Sequence, residues 1–337
     1  MSAFTLGEAD VQPGSRATVD LPVSTLTNHT HVTLPVHVVH GEDKGPVIFF
    51  SGAIHGDEIQ GVEIIRRILT HPSLGSLRGT ILAVPIVNSF GFLNHTRYMP
   101  DRRDLNRCFP GSDRGSLASL VADIFFREVV LRCQYGIDFH TAALHRTNLP
   151  QVRLAPDEPE LLKLAEAFAP PVILISKLRE KSLRLSAGEA GVKVLLYEGG
   201  EALRFDELAI DAAVKGSLRV MAHLGMIDPV PRKSAKESVF SDASGWVRAP
   251  ESGILHTTRR IGDRVGRHEV VGVVADPLGS TSVPLFAEED GIIVGRTNLP
   301  IVNRGDAVFH IAKAKPLATI RAHGEDAEAL ADEDEII

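Results

Sequence analysis

His55 and Glu58 stand three residues apart just after the apolar run Val47–Ser51, and His140 directly follows a second run, Tyr135–Phe139. Two imidazoles and a carboxylate make a three-ligand zinc site whose fourth position stays open for water, the arrangement of catalytic zinc. The HxxE spacing also arises by chance, and the competing reading is a helix-start carboxylate beside a loop histidine. Asp138 precedes His140 by two residues, so it shares a strand face with it and could accept an imidazole N–H. Glu198 closes a third apolar run, Val192–Tyr197, ahead of Gly199-Gly200. It suits a general base that takes a proton from water and passes it to a leaving amine; the alternative is an ordinary strand-terminal carboxylate. Arg97, Arg102, Arg103 and Arg107 crowd the loop from Asn88 to Ser116. A guanidinium fork can clamp a carboxylate or an oxyanion, whereas Asp101 and Asp104 could equally balance a solvated loop.

These residues act together only if regular elements bring them to one place. Strand-like runs (Val32–Val38, Val47–Ser51, Thr80–Val87, Tyr135–Phe139, Val172–Ile175, Val192–Tyr197) alternate with helical stretches at Asp57–Leu69, 117–129, Glu158–Phe168 and Asp206–Leu224. That alternation predicts an α/β sheet covered on both faces, with His55, His140 and Glu198 at its carboxyl edge, where open α/β sheets bind ligands. The character changes at Asp228–Ser238, which is polar, proline-bearing and linker-like. From Phe240 to Ile311 only short valine-rich runs and glycine turns remain, in two similar halves. Ser252-Gly253-Ile254-Leu255 matches Asp290-Gly291-Ile292-Ile293, and Val265-Gly266-Arg267 matches Val302-Asn303-Arg304. Two half-repeats predict a small pseudo-symmetric all-β sandwich or barrel. The organisation is therefore a catalytic α/β domain over 1–228, a C-terminal β domain over 239–313 and a tail over 314–337.

With 337 residues the chain has room for two domains. Its apolar runs are too short to span a membrane, Met1–Val11 is no signal peptide, and two cysteines make no disulfide framework; a cytoplasmic protein is expected. The net charge of −7 comes from residues 324–337, with seven acids and no base. The rest is balanced, which argues against a nucleic-acid partner. Serine-hydrolase, P-loop, dinucleotide and HExxH motifs are absent.

The segments His55-Gly56-Asp57-Glu58, Asp104-Leu105-Asn106-Arg107, Asp138-Phe139-His140-Thr141 and Tyr197-Glu198-Gly199-Gly200, in this order, resemble the succinylglutamate desuccinylase/aspartoacylase family, relatives of zinc carboxypeptidases. Ser182-Leu183-Arg184 also matches, and the resemblance covers about residues 30–225. It implies a zinc carboxypeptidase-like mixed sheet flanked by helices, followed by a β domain. It implies one Zn2+ per chain on His55, Glu58 and His140, with Glu198 as base. By the same resemblance Arg97 polarises the scissile carbonyl, and Asn106, Arg107 and Arg184 hold a substrate carboxylate. The extra length at Pro100–Arg103 leaves Arg102 or Arg103 as alternatives for the role of Arg97. The implied activity is hydrolysis of a small N-acyl substrate, an N-acylated amino acid or similar amide. A carboxypeptidase acting on peptides and a non-catalytic metal-binding scaffold are the rival readings.

The β domain resembles a biotinyl/lipoyl-type sandwich, but 240–311 contains no lysine to carry a cofactor. A structural or assembly module, and hence a homo-oligomer, is expected. His29, His31, His37 and His40 form a weaker candidate for a second metal site, Cys108 reads as an inert thiol, and Trp246 as a core or interface anchor.

Overall fold

Side chains alternate between two apolar layers along the central strands, and this places the sheet between two sets of helices. The computed structural model describes residues 1–230 and 237–314. In chain order the first part forms β1 (Phe4–Leu6), β2 (Ala9–Val11), β3 (Ser15–Thr25), β4 (His31–His40), β5 (Asp43–Gly52), α1 (Gln60–Leu69), β6 (Arg78–Val84), α2 (Ser89–Asn94), α3 (Leu117–Glu128), β7 (Tyr135–Ala142), β8 (Arg146–Leu154), α4 (Pro159–Phe168), β9 (Val172–Ile175), α5 (Leu183–Glu189), β10 (Lys193–Glu201) and α6 (Glu207–His223). The acidic tail and part of the expected linker lie outside the described residues.

The strands pair in the order β3-β4-β6-β5-β7-β10-β8, with β9 beside β8. β6, β5, β7 and β10 run parallel, β3 and β4 pair antiparallel with their neighbours, and β8 pairs antiparallel with β10 but parallel with β9, so the sheet is mixed. Ile48 and Phe50 of β5 enter one core layer with Ile64, Ile68, Phe139, Tyr197 and Ile210; Phe49 between them enters the other with Leu82, Val84 and Phe125. Each such side chain, fully buried, contributes about 1.5–3 kcal/mol. Among the described residues no helix is long and apolar enough to cross a membrane.

The remainder forms β11 (Val239–Ser241), β12 (Ser244–Arg248), β13 (Gly253–Thr257), β14 (Arg264–Val265), β15 (Val270–Ala275), β16 (Ser282–Phe286), β17 (Gly291–Thr297), β18 (Ile301–Val302) and β19 (Ala307–Lys313). The half-repeats appear as a reciprocal exchange. β13 of the first half pairs with β18 of the second, and β17 of the second pairs with β14 of the first. Val247, Leu255, Val274, Val308 and Phe309, from strands of both sheets, share one core.

These strands are joined to the α/β sheet, which the sequence pattern does not reveal. β17 pairs with β8 at Gly295 and Asn148, and β11 pairs with β9. Trp246 lies at this junction, stacked on His310 at 4.6 Å with the Arg146 guanidinium 5.1 Å from its ring centroid. Pro150 hides β8 from sequence reading, because proline cannot donate to a ladder. It sits between Asn148, which pairs with β17, and Gln151, which pairs with β9.

Candidate active site

His55 lies beyond the end of β5, in a turn closed by bonds from Glu58 N to the His55 carbonyl and from Ile59 N to the Asp57 carbonyl. That turn uses the residues expected to begin the helix, so α1 starts at Gln60 rather than Asp57. Gly56 is required here: a Cβ would come within 2.0 Å of the Gly91 backbone at α2. His140 and Asp138 lie within β7, which runs on to Ala142, and share one face. Glu198 on β10 pairs with His140 on one side and Gln151 of β8 on the other, so parallel and antiparallel ladders together bring the base candidate beside the histidine.

His55 Nδ1 and His140 Nδ1 approach opposite oxygens of Glu58, at 2.7 and 2.8 Å. All three side chains are buried, and one ligand atom from each lies within 4.8 Å of the others. The outer nitrogens are held by further carboxylates. His140 Nε2 is 2.7 Å from Asp138, and His55 Nε2 is 3.1 Å from Asp104. Asp138 is fixed by Ser51 Oγ at 2.7 Å. A buried donor set of two imidazoles and a carboxylate, each imidazole backed by another carboxylate, fits a divalent metal ion. Asp138→Asn is expected to weaken metal binding about 10–100-fold. Titration against a competing chelator checks this, and unchanged affinity removes Asp138 from the site.

Burial opposes charge on all three groups, but their mutual attraction outweighs it. Glu58 is held well below the usual carboxylate range by His55 and His140. His55 is raised above its ordinary value, chiefly by Glu58, and His140 well above, chiefly by Asp138 and then Glu58. Glu198 shifts the other way: burial raises it, and Arg153 and His140 only partly offset this. Its Oε2 accepts from Asn148 Nδ2 at 3.0 Å.

Of the loop arginines, Arg97 reaches the triad, donating to Glu58 at 3.2 Å and to Asp104 at 3.0 Å. Arg102 and Arg103 are exposed. Asn106 is buried, its Oδ1 accepting from Leu183 N at the start of α5, and Arg107 donates to the Asn106 carbonyl. Arg184, on the first turn of α5, donates through Nη2 to Ser176 Oγ and the Lys177 carbonyl. Burial and Arg153 lower it to about 10.

Gln60, Asn148 and Arg153 also belong to the site and escape sequence reading. Gln60 is fully buried, donating to the Gly199 carbonyl and accepting from Asp206 N, which fixes the end of β10. Asn148 and Arg153 lie on β8; the alternation Gln151-Val152-Arg153-Leu154 was the available signal. Among the described residues the histidines weighed for a second metal site lie apart from the metal-type cluster: His40 bonds Thr80 and the Ser2 carbonyl, and His31 and His37 bond threonines. Cys108 is half-buried, its Sγ 3.3 Å from the Asp104 carbonyl, and burial raises its pKa.

A sequence profile of the succinylglutamate desuccinylase/aspartoacylase catalytic domain matches residues 44–224. The chain is 29% identical over 297 residues to an N-alpha-acetyl-L-2,4-diaminobutyric acid deacetylase of Halomonas elongata, covering 84% of this chain and 86% of that one. It is 25% identical over 191 residues to a succinylglutamate desuccinylase of Pseudomonas aeruginosa, covering 52% and 56% respectively. The solved structure of a succinylglutamate desuccinylase/aspartoacylase from Rhodobacter sphaeroides aligns with a TM-score of 0.79 at 25% identity, over 89% of this chain and 96% of that one. At 22% identity the product-bound ectoine utilization protein EutE of Ruegeria pomeroyi shares the fold, with a TM-score of 0.78 over 89% and 95%. The profile spans more than half of the sequence, and the chain belongs to the succinylglutamate desuccinylase/aspartoacylase family.

Proposed function

We propose that the protein is a zinc-dependent hydrolase that cleaves the amide bond of an N-acylated amino acid or a similar small N-acyl compound. The observation that carries this reading is a second, half-buried carboxylate, Glu198, placed beside the His55–Glu58–His140 triad by strand pairing with His140. A pure binding scaffold has no use for it. Zinc on the triad supplies Lewis acidity toward an acyl carbonyl and acidifies water. Glu198 takes the proton from the attacking water and delivers it to the departing nitrogen, while Asn148 fixes its orientation from Oε2. Its raised pKa brings proton release closer to neutral pH, which suits a group that must accept and then donate. Arg97, beside Glu58 and Asp104, stabilises charge developing on the carbonyl oxygen. Asn106, Arg107 and Arg184 hold the substrate carboxylate.

The two curated relatives named above are a deacetylase and a desuccinylase of amino acids, which supports acetyl or succinyl as the acyl group. A small substrate rather than a peptide is favoured at the rim. There Asn298, just after β17, bonds Thr147 and Glu201, and Glu201 accepts from His145 N, so the C-terminal strands close over the end of β10. We read residues 1–228 as the catalytic domain, 239–313 as a biotinyl/lipoyl-like structural module and 314–337 as a tail, in a cytoplasmic homo-oligomer. The reciprocal strand exchange and the absence of lysine from 240–311 support the module.

Zinc-loaded protein is expected to release amine from at least one member of a panel of N-acetyl and N-succinyl amino acids that includes N-alpha-acetyl-2,4-diaminobutyrate. Silence across the panel with one zinc bound per chain overturns the small-amide reading. Failure to bind zinc overturns the site.

A further inference from the structure

Asn148, which donates to Glu198 Oε2 at 3.0 Å, stands on β8 between two glycines. Gly200 of β10 lies opposite it on one side and Gly295 of β17 on the other; beyond Gly295 the row continues to His310 of β19. Directly opposed residues of a sheet send their side chains to the same face, with Cβ atoms about 4.5–5.5 Å apart. The two glycines therefore leave the Asn148 amide space that a side chain on either neighbour would contest.

Gly200 answers to its own surroundings, with φ at +74° and a Cβ that would lie 2.8 Å from Gln60 Oε1. Gly295 has no left-handed φ, so its backbone conformation does not call for glycine. A glycine inside a strand then marks a close approach by another group. A Cβ at 295 would lie 2.9 Å from Asn148 Oδ1 and 3.2 Å from His310 Cβ. His310 is held in place: it is buried, stacked on Trp246, and its Nε2 is 2.8 Å from Ser244 Oγ. The atom that can yield is the Asn148 amide at the end of its side chain, and moving it disturbs the bond to Glu198. β17 is also fixed against β8. Arg296 and Thr297 continue the ladder to Thr147 and Arg146, and Asn298 N donates to the His145 carbonyl at 2.7 Å.

We propose that Gly295 is a positioning residue for Glu198, acting through Asn148: β17 presents bare backbone to the amide, and the C-terminal strands thereby help to set the base. The proposal rests on the hydrolase reading above. It gives these strands a part in turnover beyond a structural or assembly role, although β17 pairs with none of the strands that carry metal ligands. Because Asn148 holds the base, the effect falls on kcat rather than on KM.

The test compares Gly295→Ala, Asn148→Ala and the doubly substituted protein. Asn148→Ala should lower kcat about 10–100-fold, the effect of losing a hydrogen bond to a charged group, with KM nearly unchanged. Gly295→Ala should reproduce most of that loss while its melting temperature stays within a few degrees of wild type, since only a terminal amide has to shift. In the double variant the added Cβ meets no amide, so kcat should equal that of Asn148→Ala alone. Wild-type kcat in Gly295→Ala, a loss confined to KM, or losses that multiply in the double variant overturn the proposal. If Gly295→Ala does not fold, the double variant decides alone: kcat equal to that of Asn148→Ala supports the proposal, and a lower value overturns it. The side-chain amide resonances of Asn148 in the full chain, assigned by their loss in Asn148→Ala, need no turnover. They should move in both Glu198→Gln and Gly295→Ala, and resonances unmoved in Gly295→Ala defeat the proposal. Resonances that move in a protein silent on every substrate uphold the positioning and count against the hydrolase reading alone.

Discussion

Glu198→Gln is expected to lower kcat about 10²–10⁴-fold while zinc stays bound at one per chain, because a positioned general acid–base group contributes that much. The substitution is nearly isosteric. It keeps an oxygen for the Asn148 amide and leaves the β10 pairing with His140 and Gln151 undisturbed. What it removes is the ability to accept and return a proton. The wild-type pH profile supplies an independent readout. Only ionised Glu198 can take the proton, and burial raises its pKa, so activity should rise with pH through a midpoint above the ordinary carboxylate value. That acidic limb should vanish from the residual activity of the variant. Near-normal turnover with zinc retained would remove Glu198 from the chemistry.

His55, His140 and Glu198 were legible because each sits at or near the end of a short apolar run, and parallel strands bring such ends to one sheet edge. Gly56 and the turn before α1 were not, since close approach to Gly91 is a property of packing rather than of local sequence. The sequence left open which loop arginine approaches the His55–Glu58–His140 cluster. In the fold of 96–107 Arg97 does so, and Asp104 caps its own turn by accepting from Asn106 N while also pairing with Arg97 and His55. The pseudo-symmetric strands of the C-terminal part left a readable repeat, yet their union with the main sheet left none. β17 reaches β8 through a three-residue pairing in which Gly295 opposes Asn148, and no periodicity encodes a partner 147 residues away. Arg153 was lost for the related reason that Pro150 breaks the strand pattern of β8 in the sequence and not in space.

Glu58→Gln is expected to abolish metal-dependent stabilisation. A ligand that binds only the folded state at one hundred times its dissociation constant stabilises by about 2.7 kcal/mol, so zinc should raise the wild-type melting temperature by several degrees. In the metal-free protein both imidazoles meet Glu58 directly. Glu58, held below its unfolded value, adds stability that is present above the ordinary glutamate pKa and is lost as pH falls through the depressed one. His55 and His140, raised above theirs, add stability that is fully present below about pH 6.5 and is lost as pH rises through the raised values. The triad therefore stabilises the metal-free fold most in mildly acidic solution and progressively less toward alkaline pH. Zinc needs the same imidazoles without their protons, so its affinity climbs as those protons leave. The gap in melting temperature between zinc-loaded and chelated wild type should accordingly widen from about pH 6 to about pH 9. In Glu58→Gln one of the three candidate ligands is gone, and although the histidine values also fall in part, the gap should close at every pH. A gap that survives in the variant would show that the ion binds elsewhere, and a gap independent of pH in the wild type would show that the histidines are not its ligands.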